Sequence, residues 1–257
     1  MNTVYLKTPW IELYRDMPHV RCVKPYTTLR TQIKNMSRHT RWWSPPSGRA
    51  DVTVAYGSSG IIDGMSRSFR MFPSWFDAPD FGRVQSVGKY ALLRPVTVRK
   101  EWAAKSRNPL PEYVAEAARI LRSEGYLVVS VADLQDGEEW LVGETPEADI
   151  TYHAGELSVE QLMALTNHAS VVVGGVGWIV PAAIAYRKNA WIILGGQGGN
   201  NAPQKITSPR MDLSGIQFAM PDKFCTCTSH QHNCDKRISN HADKFTDWLR
   251  KLPPVVS

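Results

Sequence analysis

The sequence contains no run approaching the ~18 consecutive apolar residues that a membrane helix requires, which excludes an ordinary transmembrane helix. Four cysteines in 257 residues are too few for a disulfide scaffold, and Cys22 stands far from the other three, so a reducing compartment is expected. Met1 to Trp10 lacks the basic-then-apolar order of a secretory signal, and the chain is expected to start where it is written. There is no internal repeat. With 43% hydrophobic and 21% charged residues, neither disorder nor a fibrous repeat is indicated. The expectation is a soluble cytoplasmic protein of two modest domains.

Charge of one sign is scarce only locally. Residues 1–88 carry 12 Lys/Arg against 6 Asp/Glu, whereas residues 89–257 carry 18 of each. The net charge of +6 therefore belongs to the first third. A one-sided basic field suits an anionic partner, or it is simply a solvated basic surface.

From Tyr90 onward, short β-rich apolar runs alternate with amphipathic stretches, which predicts a parallel sheet with crossover helices. Strands are expected at Tyr90–Arg94, Tyr126–Ala132, Ile150–Tyr152, Ser170–Val173, Ala190–Leu194 and Gln217–Met220. Helices are expected at Pro111–Ser123, Val159–His168, Ile179–Arg187 and Ala242–Lys251. Ser158 and Gln161 form a capping box, and Gly125 suits a helix C-terminus. Residues 1–88 read as a reduced α/β unit, with strands at Val4–Leu6, Val20–Val23 and Asp51–Ala55 and helices at Pro9–Asp16 and Thr28–Met36. Arg38–Arg49 reads as a loop. The boundary falls near Val84–Lys89, giving a small basic domain over 1–88 and a Rossmann-like domain over 89–257.

Gly174, Gly175 and Gly177 follow a strand and open a helix, where glycines let backbone N–H groups approach a phosphate. A second glycine loop, Gly195, Gly196, Gly198 and Gly199, follows the next strand at the same sheet edge. Ligands of open α/β sheets bind outside the carboxyl ends of the strands, so two such loops point to a nucleotide. A tight structural turn is the alternative.

Four stretches carry a resemblance over about two thirds of the chain: ALLRPVTVRKEW, VVSVADLQDGEEW, HAGELSVEQLMALTNHASVVVGGVGWIVPAAIA and the closing C-x-C…C segment. In that order they resemble the C-terminal domain of the heptosyltransferase-like glycosyltransferases (glycosyltransferase family 9). The resemblance implies an α/β fold of two Rossmann-like domains (GT-B), the N-terminal one reduced, with a nucleotide-diphosphate sugar as co-substrate. It places donor contacts at Arg94, Thr97 and Lys100, ribose binding at Glu138 or Glu139, and phosphate binding at Gly175, Val176, Gly177 and the helix that follows; Gly196 joins them from the second glycine loop. Two departures stand out. Gly175-Val176-Gly177 and Val180 replace the family's Asp-Thr-Gly and His, and the position of its catalytic Asp falls on Thr3.

Inverting transfer still needs a base for the acceptor hydroxyl and cations or dipoles for the leaving diphosphate. Asp63, Glu101 and Asp16 are the base candidates, Asp63 because YGSSGIIDG reads as a loop after an N-domain strand. No cofactor is required for this chemistry. Cys225, Cys227, His230, His232 and Cys234 form C-x-C-x2-H-x-H-x-C, which suits a structural zinc or a reduced, unmetallated loop.

Arg30, Lys34, Arg38, Arg41 and Arg49 are interleaved with His39, Trp42 and Trp43, combining cations with stacking surfaces. Arg38, Arg41, Trp42 and Trp43 are the expected acceptor contacts. Both a bacterial surface glycan and a hydroxylated base in DNA, as in phage-type DNA modification, fit them. The cell of interest is then a bacterium or a phage-infected host. A non-enzymatic nucleic-acid-binding protein with a zinc knuckle is the rival reading.

Overall fold

The computed structural model describes residues 3–46, 50–54, 60–72, 76–83 and 88–253. Its centre is a six-stranded sheet of β3 (Tyr90–Leu93), β5 (Leu127–Val131), β7 (Ile150–Tyr152), β8 (Val171–Gly175), β9 (Asn189–Ile193) and β10 (Ile216–Ala219). The spatial order is β10-β9-β8-β3-β5-β7, and every pairing is parallel. The chain therefore starts in the middle, winds outward through β5 and β7, then returns to wind the other way. This doubly wound order puts a topological switch point between β3 and β8.

The central strands are apolar throughout because both faces are covered. Ala91, Leu93, Val171, Val173, Trp191 and Ile193 face α3 (Pro111–Ser123) and α8 (His241–Arg250). The alternate residues Leu92, Val172, Ala190 and Ile192 face α4 (Val159–His168) and α5 (Ile179–Ala185). The capping box forms as expected: Gln161 N–H donates to Ser158 Oγ at 3.2 Å, and Ser158 N–H to Gln161 Oε1 at 2.8 Å. Gly125 sits at φ 78° just past α3, where the Tyr126 N–H reaches back to Leu121 O at 3.0 Å.

The α8 helix docks through aromatic contacts. Phe245 is fully buried, its ring 5.3 Å from that of Trp191. His241 is buried beside them and bridges Glu116 Oε2 (2.6 Å) and Trp191 Nε1 (3.1 Å). Trp191 can only donate, so His241 Nε2 accepts and the ring is neutral. Burial pushes the His241 pKa below its ordinary 6.5, outweighing the nearby Glu116. The unfolded chain then takes up the proton first, so stability is complete above about pH 6.5 and declines as pH falls through the depressed folded-state value. His153 is depressed by burial as well. We expect the melting temperature to drop from pH 7 to pH 5, and the drop to shrink in His241→Gln; calorimetry at the two pH values checks this.

The first third is smaller. β1 (Val4–Lys7) and β2 (Val20–Val23) form a separate parallel pair, with a 3-10 turn at Ile11–Tyr14 between them and α1 (Arg30–Ser37) and α2 (Ile61–Phe69) following. The expected strand at Asp51–Ala55 does not form over Asp51–Val54, which run as coil without a pairing strand, and Ala55 lies outside the described residues. The expected long helix at Pro9–Asp16 is only the short 3-10 turn. A further antiparallel pair, β4 (Thr97–Arg99) with β6 (Glu139–Leu141), projects from the carboxyl edge of the main sheet. Two four-residue helices, α6 (Gly198–Asn201) and α7 (Pro203–Ile206), occupy what reads in sequence as a glycine-rich loop.

Candidate functional site

A cleft of about 810 Å³ opens where the switch point predicts one. Its floor is the carboxyl ends of three strands: Arg94 to Thr97 after β3, Asp133 after β5, and Gly175 to Trp178 after β8. Its roof comes from the first third of the chain, with Trp10, Leu13 and Tyr14 from the 3-10 turn and Lys34, Asn35 and Arg38 from α1 and its end. The site is thus built at the junction of the two parts.

Arginine dominates one end. Arg94, Arg99 and Arg107 all line the cleft. Glu139 is 1% exposed and shared among three guanidiniums: Arg99 Nε at 2.8 Å, Arg30 at 3.0 Å and Arg94 at 3.9 Å. Thr97 Oγ1 donates to its other oxygen at 2.8 Å. The expected ribose contact Glu139 is thus the buried counter-ion of the arginine group and is not among the residues that line the cleft. The acidic side chain of VVSVADLQDGEEW that reaches the cleft is Asp133, paired with Arg30 at 3.2 Å and Lys34 at 3.0 Å. Burial raises the Asp133 pKa, but the Lys34 hydrogen bond and the Arg30 charge win and hold it below the usual carboxylate value. Gly155 (φ 63°) packs on that pair so closely that any side chain would strike the Asp133 carboxylate and the Lys34 ammonium.

Positive charge is in excess here. Burial and the neighbouring Arg99 lower the Arg94 pKa to about 10 and depress Arg107 for the same two reasons. Arg107 pairs with no carboxylate among the described residues, and its Nε is buried without a hydrogen-bond partner. A buried unpartnered N–H on a cation is costly unless an anion arrives to take it. Asn108 is fixed beside it, donating to Thr97 O at 2.8 Å.

Of the base candidates, Glu101 lines this cleft, held by the Arg30 backbone N–H at 3.0 Å on its Oε2. Asp63 does not. It lies in the first turn of α2, exposed and away from the cleft lining, because IIDGMSRSF folds as an amphipathic helix rather than the loop expected. Asp16 is an exposed partner of Arg15.

The expected donor contacts divide. Arg94, Thr97, Gly175, Val176 and Gly177 border the cleft, and a side chain at Gly177 would meet open space. Lys100 is exposed and paired with Glu138 at 3.3 Å, outside the cleft lining because the β4–β6 pair turns its end toward solvent. Gly196 donates its N–H to Ser106 O at 2.7 Å and abuts Cys234. The second glycine loop is therefore close-packed against the cysteine segment rather than open to a phosphate. Among the acceptor candidates Arg38 alone lines the cleft, donating to Leu157 O at 2.9 Å and Gly155 O at 3.2 Å. Arg41 is exposed, Trp42 donates to His39 O, and Trp43 lies outside beneath Arg21. Arg49 is outside the described residues.

The cysteine segment does converge. The ligand atoms of Cys225, Cys227, His232 and Cys234 lie within 4.8 Å of one another, with Cys227–Cys234 at 3.6 Å, Cys225–His232 at 3.4 Å and His232–Cys234 at 3.3 Å. A tetrahedral site with ~2.3 Å metal–sulfur bonds has sulfur–sulfur edges of ~3.7 Å. Three thiols and an imidazole at this spacing fit a tetrahedral soft-metal ion, zinc or iron. His230 is not in the set; its Nδ1 bonds Gln197 Nε2 at 3.0 Å.

No known family's sequence profile matches the chain, and no curated protein matches it by sequence. Solved structures do match by fold. The dodecameric iron-containing heptosyltransferase TibC, in complex with ADP-D-beta-D-heptose, superposes with a TM-score of 0.63 at 15% identity, over 96% of this chain and 69% of that one. This is the fold of the heptosyltransferases, GT-B with a reduced N-terminal domain. TibC from enterotoxigenic E. coli superposes with a TM-score of 0.56 at 15% identity, over 94% and 63% of the respective chains. E. coli ADP-heptose lps heptosyltransferase II matches at 0.40 and 16%, over 65% of this chain and 49% of that one. The GT-B chain spans about two thirds of the length of the TibC chains.

Proposed function

We propose that the protein is a nucleotide-sugar-dependent glycosyltransferase whose donor lies in the cleft with its diphosphate against Arg94, Arg99 and Arg107. The observation that carries this reading is the half-buried excess of guanidinium charge at the switch point, above all the buried, orphaned Arg107 Nε. A diphosphate supplies the missing anion, and the fold is one that holds ADP-heptose in TibC. Glu101 is the base: it takes the acceptor hydroxyl's proton as the new oxygen–C1 bond forms. The bond from C1 to the diphosphate breaks on the opposite face, which inverts the anomeric centre, and the guanidiniums stabilise the leaving nucleoside diphosphate.

Cys225, Cys227, His232 and Cys234 hold iron or zinc in this reading, as a structural ion that shapes the loop around it. The acceptor is carbohydrate. Arg30, Lys34 and Arg38 direct their hydrogen bonds inward across the domain junction, which thins the outward phosphate-neutralising footprint that a DNA acceptor calls for.

Calorimetric titration with ADP tests the reading. The intact protein is expected to bind ADP, and Arg107→Met to weaken binding by ~1.5–3 kcal/mol, one charge-assisted hydrogen bond. A protein that binds no nucleoside diphosphate refutes it.

A further inference from the structure

We infer that the cysteine cluster is a brace for the loop carrying Arg107 and Asn108, and that Ser106 and Gln231 are positioning residues which transmit its order to the cleft. Residues 102–109 face two ways. Trp102, Ala104 and Arg107 to Pro109 contribute to the cleft lining. The same stretch is tied to the segment between and beside the cluster's ligands. Ser106 N–H donates to His230 O at 3.1 Å and its Oγ to Ser229 O at 2.7 Å. Gln231 Nε2 donates to Ala103 O, and Lys236 Nζ to Lys105 O, both at 2.6 Å. The Trp102 and His230 rings meet edge-on with centroids 6.1 Å apart.

The brace is closed from the sheet side by the second glycine loop. Gly196 N–H donates to Ser106 O, Gly198 N–H to Cys225 O and Gly199 N–H to Cys227 O. Side chains at Gly196 and Gly198 would strike Cys234 and Phe224, so the three segments fit only without them. Residues 229–236 contain neither helix nor strand. Side-chain ligation at His232 and Cys234 is what can fix such a segment, because a cross-link removes the conformational freedom that an irregular loop otherwise retains. An ordered 229–236 holds Ser106, and Ser106 sets the backbone direction of Arg107. The brace stands on these contacts alone; its effect on ligand rests on the reading of Arg107 as a diphosphate contact.

Amide hydrogen exchange tests it, on protein whose metal content is measured before and after chelation. Removing the metal is expected to raise exchange at the Ser106 and Gly196 amides at least tenfold while β3 and β8 stay protected. Ser106→Ala with Gln231→Ala is expected to keep its metal, show the same local increase and bind ADP about tenfold more weakly. Protection at Ser106 and Gly196 that survives both treatments overturns the brace, as does a native protein that binds neither zinc nor iron. If the native protein binds no nucleoside diphosphate, the proposed function fails, and the exchange result still decides the brace.

Discussion

Glu139→Gln is expected to lower the unfolding free energy by about 3–5 kcal/mol, the range for removing one partner from a buried ion pair. The carboxylate sits among Arg30, Arg94 and Arg99 with essentially no exposure. Gln preserves the shape and keeps an acceptor for Thr97 Oγ1, but it leaves three guanidiniums that are only 16–28% exposed repelling one another without their shared counter-charge. Arg30 belongs to α1 and Arg94 and Arg99 to the sheet's carboxyl edge, so the lost charge is also one of the charges that join the first third of the chain to the rest, beside that of Asp133. Denaturant unfolding of the variant measures the effect. A loss under 1 kcal/mol would mean that the arginines are held by other groups.

Glu101→Gln is expected to reduce sugar transfer by ~10²–10⁴-fold, the usual contribution of a positioned general base, with ADP affinity changed less than twofold. The amide oxygen of Gln can still accept the Arg30 backbone N–H that orients Glu101, so the roof and floor keep their relation. Asp133 is a poor substitute for it: Lys34 and Arg30 hold its carboxyl below the usual value, which makes it a weak acceptor of protons. The measurement is kcat with the donor saturating, alongside a binding titration. A Glu101→Gln variant with full turnover would move the base elsewhere in the cleft.

The sheet was legible in sequence because its signal is local. VVV at 171–173 and VVSV at 128–131 are apolar without alternation, as strands buried on both faces must be. Ser158 and Gln161 declare a helix start within four residues. The glycine turn at 174–177 lies at the cleft because a strand and a crossover helix put it there wherever they occur in such a sheet.

The site is less local, and its chemistry depends on distance through space. Nothing in SRNP at 106–109 announces Arg107, whose significance comes from standing half-buried near Arg99 with its Nε buried and unpaired. Lys100 and Arg99 are adjacent in sequence, yet Arg99 ends β4, lines the cleft and meets Glu139, whereas Lys100 opens the turn that follows and stays in solvent beside Glu138. The basic bias of the first third was countable from composition, but not its direction: Arg30 and Lys34 lie about 100 residues from the carboxylates they meet. Periodicity, capping and turn chemistry thus determined the Rossmann-like sheet and its switch point from the sequence alone. Which cations surround the cleft, which carboxylate neutralises them and which other carboxylate lines it were decided by tertiary structure, because burial and charge pairing exist only once distant segments have met.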